Sequence, residues 1–521
     1  MSSSDIEKGK GDEIYIEDSI KEEWKRTFFR KVQRSNSPMP DSCCIFRVPE
    51  VLRRQKRFAY QPDIVSIGPF HRGGKKFRSL ENVKKWYLKG FLESTKIEWD
   101  RLIASITTEV KRARNCYAEP LNLDENNFVE MLILDGCFLI ELFRKASSEP
   151  DSARAAAARV YETKSPCAVP KSPRAAPARL PAALARPPAA PAPIQGDPIF
   201  SVPCMLEYLY HDLLLLENQL PWFVLQIFYD LIQDGHPKKL PLSRVVINFF
   251  KKSVADDKIF LVADDPKIFN YHESESPHEI LHILDLIRSA LVGQKQQDNK
   301  SSPLCSIVQT TCNKLGKKLR ALIVRNKAST VNEDSSSHLP KRIPSAATLS
   351  EAGVKFKKGE RGCILNITFK HGVFTIPPLV IEERTGPLFR NLMAYEQCYQ
   401  GRKHKITSYA VLMDNLIDTS KDVDLLCEKG IVANWLSAED ASKYFNELYN
   451  DTTVIGYNYE GLCKDVEEYH KVLWNRWREK LKRDYFGTPW ATISFFAAFV
   501  LLVLTFLQTI YTIHPYYHPR D

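Results

Sequence analysis

The chain has 521 residues, of which 44% are hydrophobic and 11% aromatic, so it can bury a sizeable core in roughly two to four ordinary domains or one large one. Its formal net charge of +10 is a mild surplus of basic residues for this length and does not indicate a nucleic-acid partner. The 12 cysteines form no C-x-x-C pair, and the N-terminal residues lack the apolar segment of a signal peptide. These features predict reduced thiols in the cytosol.

Composition divides the chain into three parts. The polar residues 1–40 predict a disordered tail, and residues 41–486 are predicted to form one domain. That domain is interrupted at residues 147–198, where Ala, Pro and Arg replace nearly all large apolar side chains. Such a segment cannot bury enough surface to offset the entropy of ordering it, so we expect a disordered insertion; a proline-rich docking segment is the alternative. Residues 487–521 form the third part.

Helical periodicity dominates the predicted domain, and one region of it is broken in an informative way. Two strongly apolar helical patterns are interrupted at Pro221, a residue that cannot continue a helix. Glu217, Asn218 and Gln219 lie at the break. Polar groups between two apolar runs must be hydrogen-bonded, so we expect them to cap the broken backbone rather than perform chemistry.

A different period appears in the C-terminal half of the domain. Leu365, Ile367 and Phe369 alternate with polar residues, His371-Gly372 offers a turn, and the alternation resumes beyond it. This pattern predicts a β-hairpin with a neighbouring extended segment inside an otherwise helical chain.

The residues from Pro489 to Ile513 include no charged side chain and are just long enough, as a helix, to cross a bilayer core of about 30 Å. Thr488 suits the N-cap position and Pro489 the first helical position. A membrane span is therefore predicted, with a buried core helix as the alternative. The predicted anchoring residues are Trp490, Phe495, Phe499, Leu502, Phe506 and Tyr511.

A basic cluster precedes this segment and sets the predicted orientation. It consists of Arg476, Arg478, Lys480, Lys482 and Arg483, whereas Arg520 alone follows the segment. The positive-inside rule then leaves the bulk of the chain in the cytosol, anchored by one C-terminal helix to the plasma membrane or an endomembrane. The cluster could also contact anionic lipid headgroups, or be an ordinary flank of the span.

Residues 278–282 read HEILH, the spelling of a zinc protease motif in which two histidines share one helical face. A helical wheel places His278, His282, Asp285 and Ser289 on the polar face of an amphipathic surface helix. The following residues supply no third ligand of the expected spacing. The sequence therefore predicts no metal site and no zinc hydrolysis.

Other catalytic motifs are also missing from the sequence. It contains no phosphate-binding loop, no dinucleotide-binding glycine pattern after a strand, and no G-x-S-x-G. Asp135 and Glu141, with Asp212 and Glu217, are candidates for paired catalytic carboxylates. The alternative is that these acids are capped or hydrogen-bonded structural groups, which we favour because no partner base is apparent.

Six blocks of sequence, in order, resemble the plant family known as domain of unknown function two-four-seven. They read FRVPEVLRRQKRFAYQPDIVSIGPFHRG, FVEMLILDGCFLIELF, HDLLLLENQLPWFVL, EAGVKFK, SYAVLMDNLIDTSKDVDLL and RDYFGTPWATISFFAAFVLLVLTFLQTIY. The resemblance implies a single-pass plant membrane protein with a large helical domain and no established activity or cofactor. Some grass members are associated with pollen self-incompatibility, and others with stress or defence. Arg72 departs from the family, which commonly has a second histidine there.

Together these observations predict a mainly α-helical domain with a small β-hairpin element and one C-terminal transmembrane helix. The expected function is recognition or signalling through contacts with an unidentified protein partner. Membrane lipid is expected to contact the C-terminal helix, and no catalysis, cofactor, metal or nucleic acid is expected. The alternative is an enzyme whose Asp, Glu and His residues are dispersed in sequence and form no recognisable motif.

Overall fold

The computed structural model describes residues 21–30, 39–148, 196–233, 240–253, 279–292, 342–360, 363–471 and 489–517. Within these ranges the chain is mainly helical, with two small sheets. Buried apolar side chains from both halves of the chain join in one hydrophobic core, which begins near Cys43 and ends near Val466.

The helices of the N-terminal half surround one long central helix. In chain order they are α1 (residues 21–30), α2 (Glu50–Arg53), α3 (Arg78–Thr95), α4 (Trp99–Thr107), α5 (Val110–Arg114), α6 (Glu125–Ser148), α7 (Pro203–Leu213), α8 (Trp222–Gln233), α9 (Leu242–Ser253) and α10 (Ile283–Val292). Short 3-10 turns at Arg57–Tyr60 and Lys75–Phe77 follow α2 and precede α3.

Helix α6 is the centre of this arrangement. Its residues 131–143 are all buried, because α3, α4, α8 and α9 pack around it. A helix that is apolar on every side is stable only when it is covered on every side. Gly136 permits the closest of these approaches: a Cβ atom there would lie 2.3 Å from the Phe228 ring of α8.

The C-terminal half combines short strands with further helices. The helices are α11 (Ala346–Glu351), α12 (Thr385–Cys398), α13 (Lys405–Leu416), α14 (Ser420–Glu428), α15 (Ala438–Leu448), α16 (Glu460–Lys471) and α17 (Pro489–Tyr517). The strands are β1 (Lys355–Lys358), β2 (Thr368–Lys370), β3 (Val373–Ile376), β4 (Leu379–Ile381) and β5 (Val432–Asn434).

The strands form one sheet of order β1-β3-β2 and a second of β4 and β5. The hairpin that the alternating pattern predicts is present as the antiparallel pair β2–β3. His371 and Gly372 connect its strands with φ values of 51° and 77°, which the two-residue turn requires and which a glycine adopts without strain. Strand β1 adds to β3 in parallel, and β4 pairs in parallel with β5.

The predicted transmembrane helix is wrong for this structure. Helix α17 forms, but among the residues that the structure describes no helix has both the length and the apolar character needed to cross a membrane.

The predicted localisation is wrong for the same reason. Single-pass anchoring and a cytosolic orientation were both inferred from that span and from the basic residues beside it. The basic cluster Arg476, Arg478, Lys480, Lys482 and Arg483 lies outside the described residues.

The predicted tail and insertion are described only at their edges. Residues 21–30 of the predicted disordered tail form the exposed helix α1, and residues 149–195 of the predicted insertion lie outside the described residues. Where the chain resumes, Asp197 is buried. It accepts hydrogen bonds from Tyr87 Oη at 3.0 Å and from Lys145 Nζ, near the end of α6, at 2.8 Å. The two edges of the insertion therefore meet.

Candidate functional site

The polar loop, residues 212–219, covers the last two residues of α7 and most of the break before α8. Helix α7 ends at Leu213 and α8 begins at Trp222, so the predicted break covers residues 214–221. Asp212, Glu217, Asn218 and Gln219 are all buried. Asn218 and Gln219 bind carbonyls next to the break, as predicted, whereas the prediction is wrong for Glu217, whose partners Val48 and Arg53 are distant in sequence.

Asp212 holds the start of the segment at residues 63–68. Its Oδ1 accepts the backbone N–H of Asp63 at 2.7 Å, and its Oδ2 accepts those of Ile64 and Val65, each at 2.8 Å. Asn218 continues the pattern by accepting the Ile67 N–H at 2.7 Å.

Gln219 joins three elements through one side chain. Its Nε2 donates to the carbonyls of Leu213 and Leu215, both at 2.8 Å, and its Oε1 accepts the Leu284 N–H at the start of α10 at 3.1 Å. Its own carbonyl lies so close to Gly68 that a Cβ there would be 2.6 Å away. Gly68 also has φ of +73°, so the close approach and the conformation both require glycine.

Asp135 of α6 is occupied by a buried lysine. Lys84 of α3, 1% exposed, places its Nζ 2.7 Å from Asp135 Oδ1 and also donates to the Ser66 carbonyl. The other oxygen, Oδ2, accepts the Gly68 N–H at 2.8 Å. Burial raises the pKa of Asp135, while the charge of Lys84 opposes that shift.

Glu217 is at the centre of a basic cluster. Its Oε1 accepts the Val48 N–H at 2.7 Å and a hydrogen bond from Arg53, and its Oε2 lies 3.1 Å from His71 Nε2. Arg47 Nη1 is 3.9 Å from the same oxygen. Burial, together with Arg47 and Arg53, lowers the pKa of His71 to about 4, so this imidazole is neutral at pH 7. Within the described part of the chain, His71 Nε2 and Glu217 Oε2 have no well-oriented hydrogen bond.

Each of the four acids singled out from the sequence is hydrogen-bonded to a different set of partners. Asp135 is bound to Lys84, Asp212 to three amides, and Glu217 to Arg53, while Glu141 accepts two hydrogen bonds from Arg144 at 2.7 and 2.8 Å. These contacts agree with the alternative reading of the acids as structural groups. The sequence reasoning missed His71 and Arg53, although both lie within blocks that carry the family resemblance.

Asp63, His211 and Asp212 bring three potential metal-ligand atoms within 4.8 Å of one another. His211 Nδ1 lies 3.1 Å from Asp212 Oδ1 and 3.3 Å from Asp63 Oδ2. Both Asp212 oxygens already accept backbone N–H bonds, so this carboxylate offers a cation little free capacity. In this geometry Asp212 is the acceptor for the backbone N–H groups of residues 63–65, and His211 lies beside its carboxylate.

The described residues of the HEILH motif, 279–282, precede the helix rather than lying on it. Helix α10 begins at Ile283, after the motif, and His278 lies outside the described residues. His282 is fully buried, which contradicts its predicted place on the polar face of a surface helix. Its Nδ1 accepts the Asp285 N–H at 3.2 Å and its Nε2 lies 3.1 Å from the Cys44 carbonyl, so both ring nitrogens are occupied.

A second buried polar network, next to His282, was not foreseen. Arg402 makes a bidentate contact with Asp285 at 2.9 and 2.8 Å, and Tyr395 donates to the same carboxylate at 3.1 Å. Burial favours the neutral acid, but the hydrogen bond and charge of Arg402 outweigh it and lower the pKa of Asp285. One turn further along α10, Arg288 pairs with Glu396 of α12.

Burial lowers the pKa of His282 to about 4, and we expect the stability of the domain to depend on pH through this residue. The unfolded histidine, with a pKa near 6.5, binds a proton more readily than the folded one. Its contribution to stability is therefore complete above about pH 6.5 and is lost as the pH falls towards 4. Urea unfolding at pH 7 and pH 5 is expected to show a loss of about 2 kcal/mol from this group.

His282→Gln should flatten this pH dependence by that amount, whereas His371→Gln, at the exposed hairpin turn, should leave the dependence unchanged. Equal slopes for the wild type and His282→Gln between pH 5 and pH 7 would contradict the assignment.

The predicted anchoring residues all lie on α17, and those whose side chains are described are exposed. They are Trp490, Phe499, Leu502 and Phe506. The side chains of Phe495 and Tyr511 are outside the described set.

Comparison with known proteins agrees with the resemblance carried by the six blocks. The model of the DUF247 family, described as plant protein of unknown function, matches residues 45–504. The chain is 28% identical to the UPF0481 protein At3g47200 of Arabidopsis thaliana, covering 92% of this chain and 88% of that protein. It is 22% identical to a second Arabidopsis thaliana UPF0481 protein, At3g02645, covering 89% of each. No solved structure matches the chain significantly. Because the family model spans most of its length, the chain belongs to the DUF247 family of plant proteins of unknown function.

Proposed function

We propose that this protein is a non-catalytic recognition module that binds other proteins through an exposed apolar surface of its domain. The observation that carries the proposal is the clasp surface, defined as Val51, Phe58 and Ile455 around the ion pair of Arg54 with Asp451. Phe58 is 85% exposed, Ile455 71% and Val51 49%. Contiguous exposed apolar surface is typical of protein-binding sites, and each of these three side chains lies within four positions of one of the ion-paired residues.

Hydrogen bonds within the domain join the two segments that carry the clasp surface. Arg54 Nε and Gln55 Nε2 both donate to Asp451 Oδ2, at 2.9 and 3.0 Å, and so join segments that are 397 positions apart in sequence. On the second segment, Thr453 Oγ1 donates to Gln397 Oε1 at 2.8 Å. A surface held in one arrangement loses less entropy on binding than a mobile one.

The chemistry of the clasp surface indicates the kind of partner. Arg54, Lys56 and Arg57 are exposed beside Phe58, and aromatic residues with arginine are enriched where protein interfaces derive most of their affinity. Because Arg54, Lys56 and Arg57 already face Asp451, Glu447 and Glu50 of the domain, the complementary partner is a protein segment that presents apolar side chains.

The absence of catalysis is proposed because of how the buried acids are used. Asp135, Asp212 and Glu217 each bind backbone N–H groups that would otherwise be buried without an acceptor. The rival function, an enzyme with a dispersed site, has one observation in its favour. His71 is kept neutral next to Glu217, an arrangement compatible with a general base.

The proposal is tested with full-length protein carrying Phe58→Asp and Ile455→Asp together. Proximity labelling in plant cells identifies proteins that the wild type contacts, and each is then measured for binding to purified protein. We expect the double variant to bind a true partner about thirtyfold more weakly, as for the loss of a dominant interface residue.

The matched control is Trp99→Asp, a substitution of an exposed aromatic residue on α4, outside the clasp surface. It should retain both the labelled proteins and their affinities. The proposal fails if the double variant, shown to be folded by its thermal transition, labels and binds the same proteins as the wild type.

A further inference from the structure

We propose that Cys44 and Cys116 are a redox-active pair that forms a disulfide on exposure to a small-molecule disulfide such as oxidised glutathione. The two residues lie on segments that run side by side. Cys44 N and Ile45 N both donate to the Cys116 carbonyl, at 2.8 and 2.9 Å, and Ala118 N donates to the Ile45 carbonyl at 3.0 Å.

These hydrogen bonds define a parallel bridge between Ile45 and Tyr117. In that register Cys44 lies beside Cys116, one step back along each segment. Neighbouring extended segments are about 4.8 Å apart. Two cysteines can be joined without moving the backbone when their Cα atoms are about 4.4–6.8 Å apart, so the pair is within range.

Both thiols are buried, with Cys44 2% and Cys116 7% exposed, and Cys116 Sγ donates a hydrogen bond to the Arg112 carbonyl at 3.4 Å. Hydrogen bonding of a Cys116 thiolate by the Cys44 thiol is the main cause of the lowered pKa of Cys116 and of the raised pKa of Cys44. Arg112, one helical turn before Cys116, lowers the Cys116 pKa further. A lowered pKa increases the thiolate fraction, which is the nucleophilic form of cysteine.

The adjacent Cys43 is the natural competitor, but its position is less suitable. Cys43 is one residue further from the bridge than Cys44, and its N–H closes a turn with the Pro40 carbonyl at 3.1 Å instead of binding the Cys116 segment. Burial is the main cause of the raised pKa of Cys43. All three thiols are free, and the bridge register selects Cys44 as the partner.

The reaction proceeds in two exchanges. The Cys116 thiolate attacks one sulfur of oxidised glutathione, the sulfur–sulfur bond of glutathione breaks, and one glutathione thiolate leaves. Cys44, released from its hydrogen bond to a thiolate, gives its proton to solvent and attacks Cys116 Sγ, which expels the second glutathione. Two protein thiols are oxidised and one glutathione disulfide is reduced to two thiols.

The experiment uses reduced, full-length protein equilibrated with mixtures of oxidised and reduced glutathione. After acid quenching, free thiols are alkylated, the protein is digested, and peptides are identified by mass spectrometry. We expect the alkylated forms of Cys44 and Cys116 to disappear together and a cross-linked peptide containing both to appear. Cys137→Ser, which removes a buried thiol from α6, should leave this result unchanged.

Cys44→Ser and Cys116→Ser should each abolish the cross-linked peptide, and Cys43→Ser should retain it. The inference is overturned if the wild type keeps both thiols reduced in fully oxidised glutathione. It is equally overturned by a Cys43–Cys44 or Cys43–Cys116 linkage, or by a glutathione adduct on Cys116 that Cys44 does not resolve. Because the wild-type peptide map alone decides these outcomes, a variant that fails to fold does not affect the test.

Discussion

Replacing Asp212 with alanine is expected to lower the free energy of unfolding by about 4 kcal/mol, because three buried backbone N–H groups lose their acceptor at once. Those groups belong to Asp63, Ile64 and Val65, and their hydrogen bonds to Asp212 measure 2.7–2.8 Å. Each buried donor left without an acceptor costs about 1–3 kcal/mol, and entry of water into the vacated space recovers part of the loss.

The measurement is urea unfolding of Asp212→Ala at pH 7, compared with Asp230→Ala. Asp230 is exposed on α8, and its oxygen accepts a hydrogen bond only from Gln226 on the same helix among the described residues. The control should lie within about 0.5 kcal/mol of the wild type. A loss below about 1 kcal/mol for Asp212→Ala would show that Asp212 does not hold this segment in place.

The second large effect is expected at Glu396, where replacement by alanine should cost about 3–5 kcal/mol. Its Oε1 accepts hydrogen bonds from Arg288 Nε at 2.9 Å and from the N–H groups of Lys405 and Ile406, both at 3.1 Å. Its Oε2 accepts the Thr407 N–H at 2.9 Å. The substitution therefore leaves a buried guanidinium without its carboxylate and removes the acceptor at the start of α13.

The contributions are separated with a double-mutant cycle that adds Arg288→Met. Arg288→Met alone should cost about 2 kcal/mol, because Glu396 keeps its helical N–H donors. The double variant should be no less stable than Glu396→Ala, which gives a coupling of about 2 kcal/mol. Additive losses would mean that the pair contributes nothing as a pair. Lys443→Ala, at an exposed ion pair on α15, serves as the control, with an expected change of about 0.5 kcal/mol or less.

The helix break and the β-hairpin could be predicted because each is determined by residues that are close together in sequence. Pro221 ends a helical pattern wherever it stands, so the break and the hydrogen-bonding role of Asn218 and Gln219 followed from the sequence. The β2–β3 hairpin followed from alternation and from the His371-Gly372 turn.

Residues whose environment depends on a distant partner could not be placed in this way. A helical wheel puts charged residues outside, yet Lys84 is buried because Asp135 of α6 meets it. His282 and Asp285 were assigned to a surface for the same reason. Arg402, which is 117 positions beyond Asp285, supplies the charge that allows this acid to be buried.

The meeting of Lys145 and Asp197 has a consequence for how this protein tolerates change in length. The two residues are 52 positions apart in sequence and in direct contact in space, so the excursion between them starts and ends at one place on the core. Lengthening a loop that is closed at its base costs only about 0.6 kcal/mol for each doubling, provided that the loop is flexible. The stability of the core therefore depends little on the number of residues between Lys145 and Asp197. Evolution can lengthen, shorten or replace that chain, and an engineer can graft a reporter there, without disturbing the packing of α6.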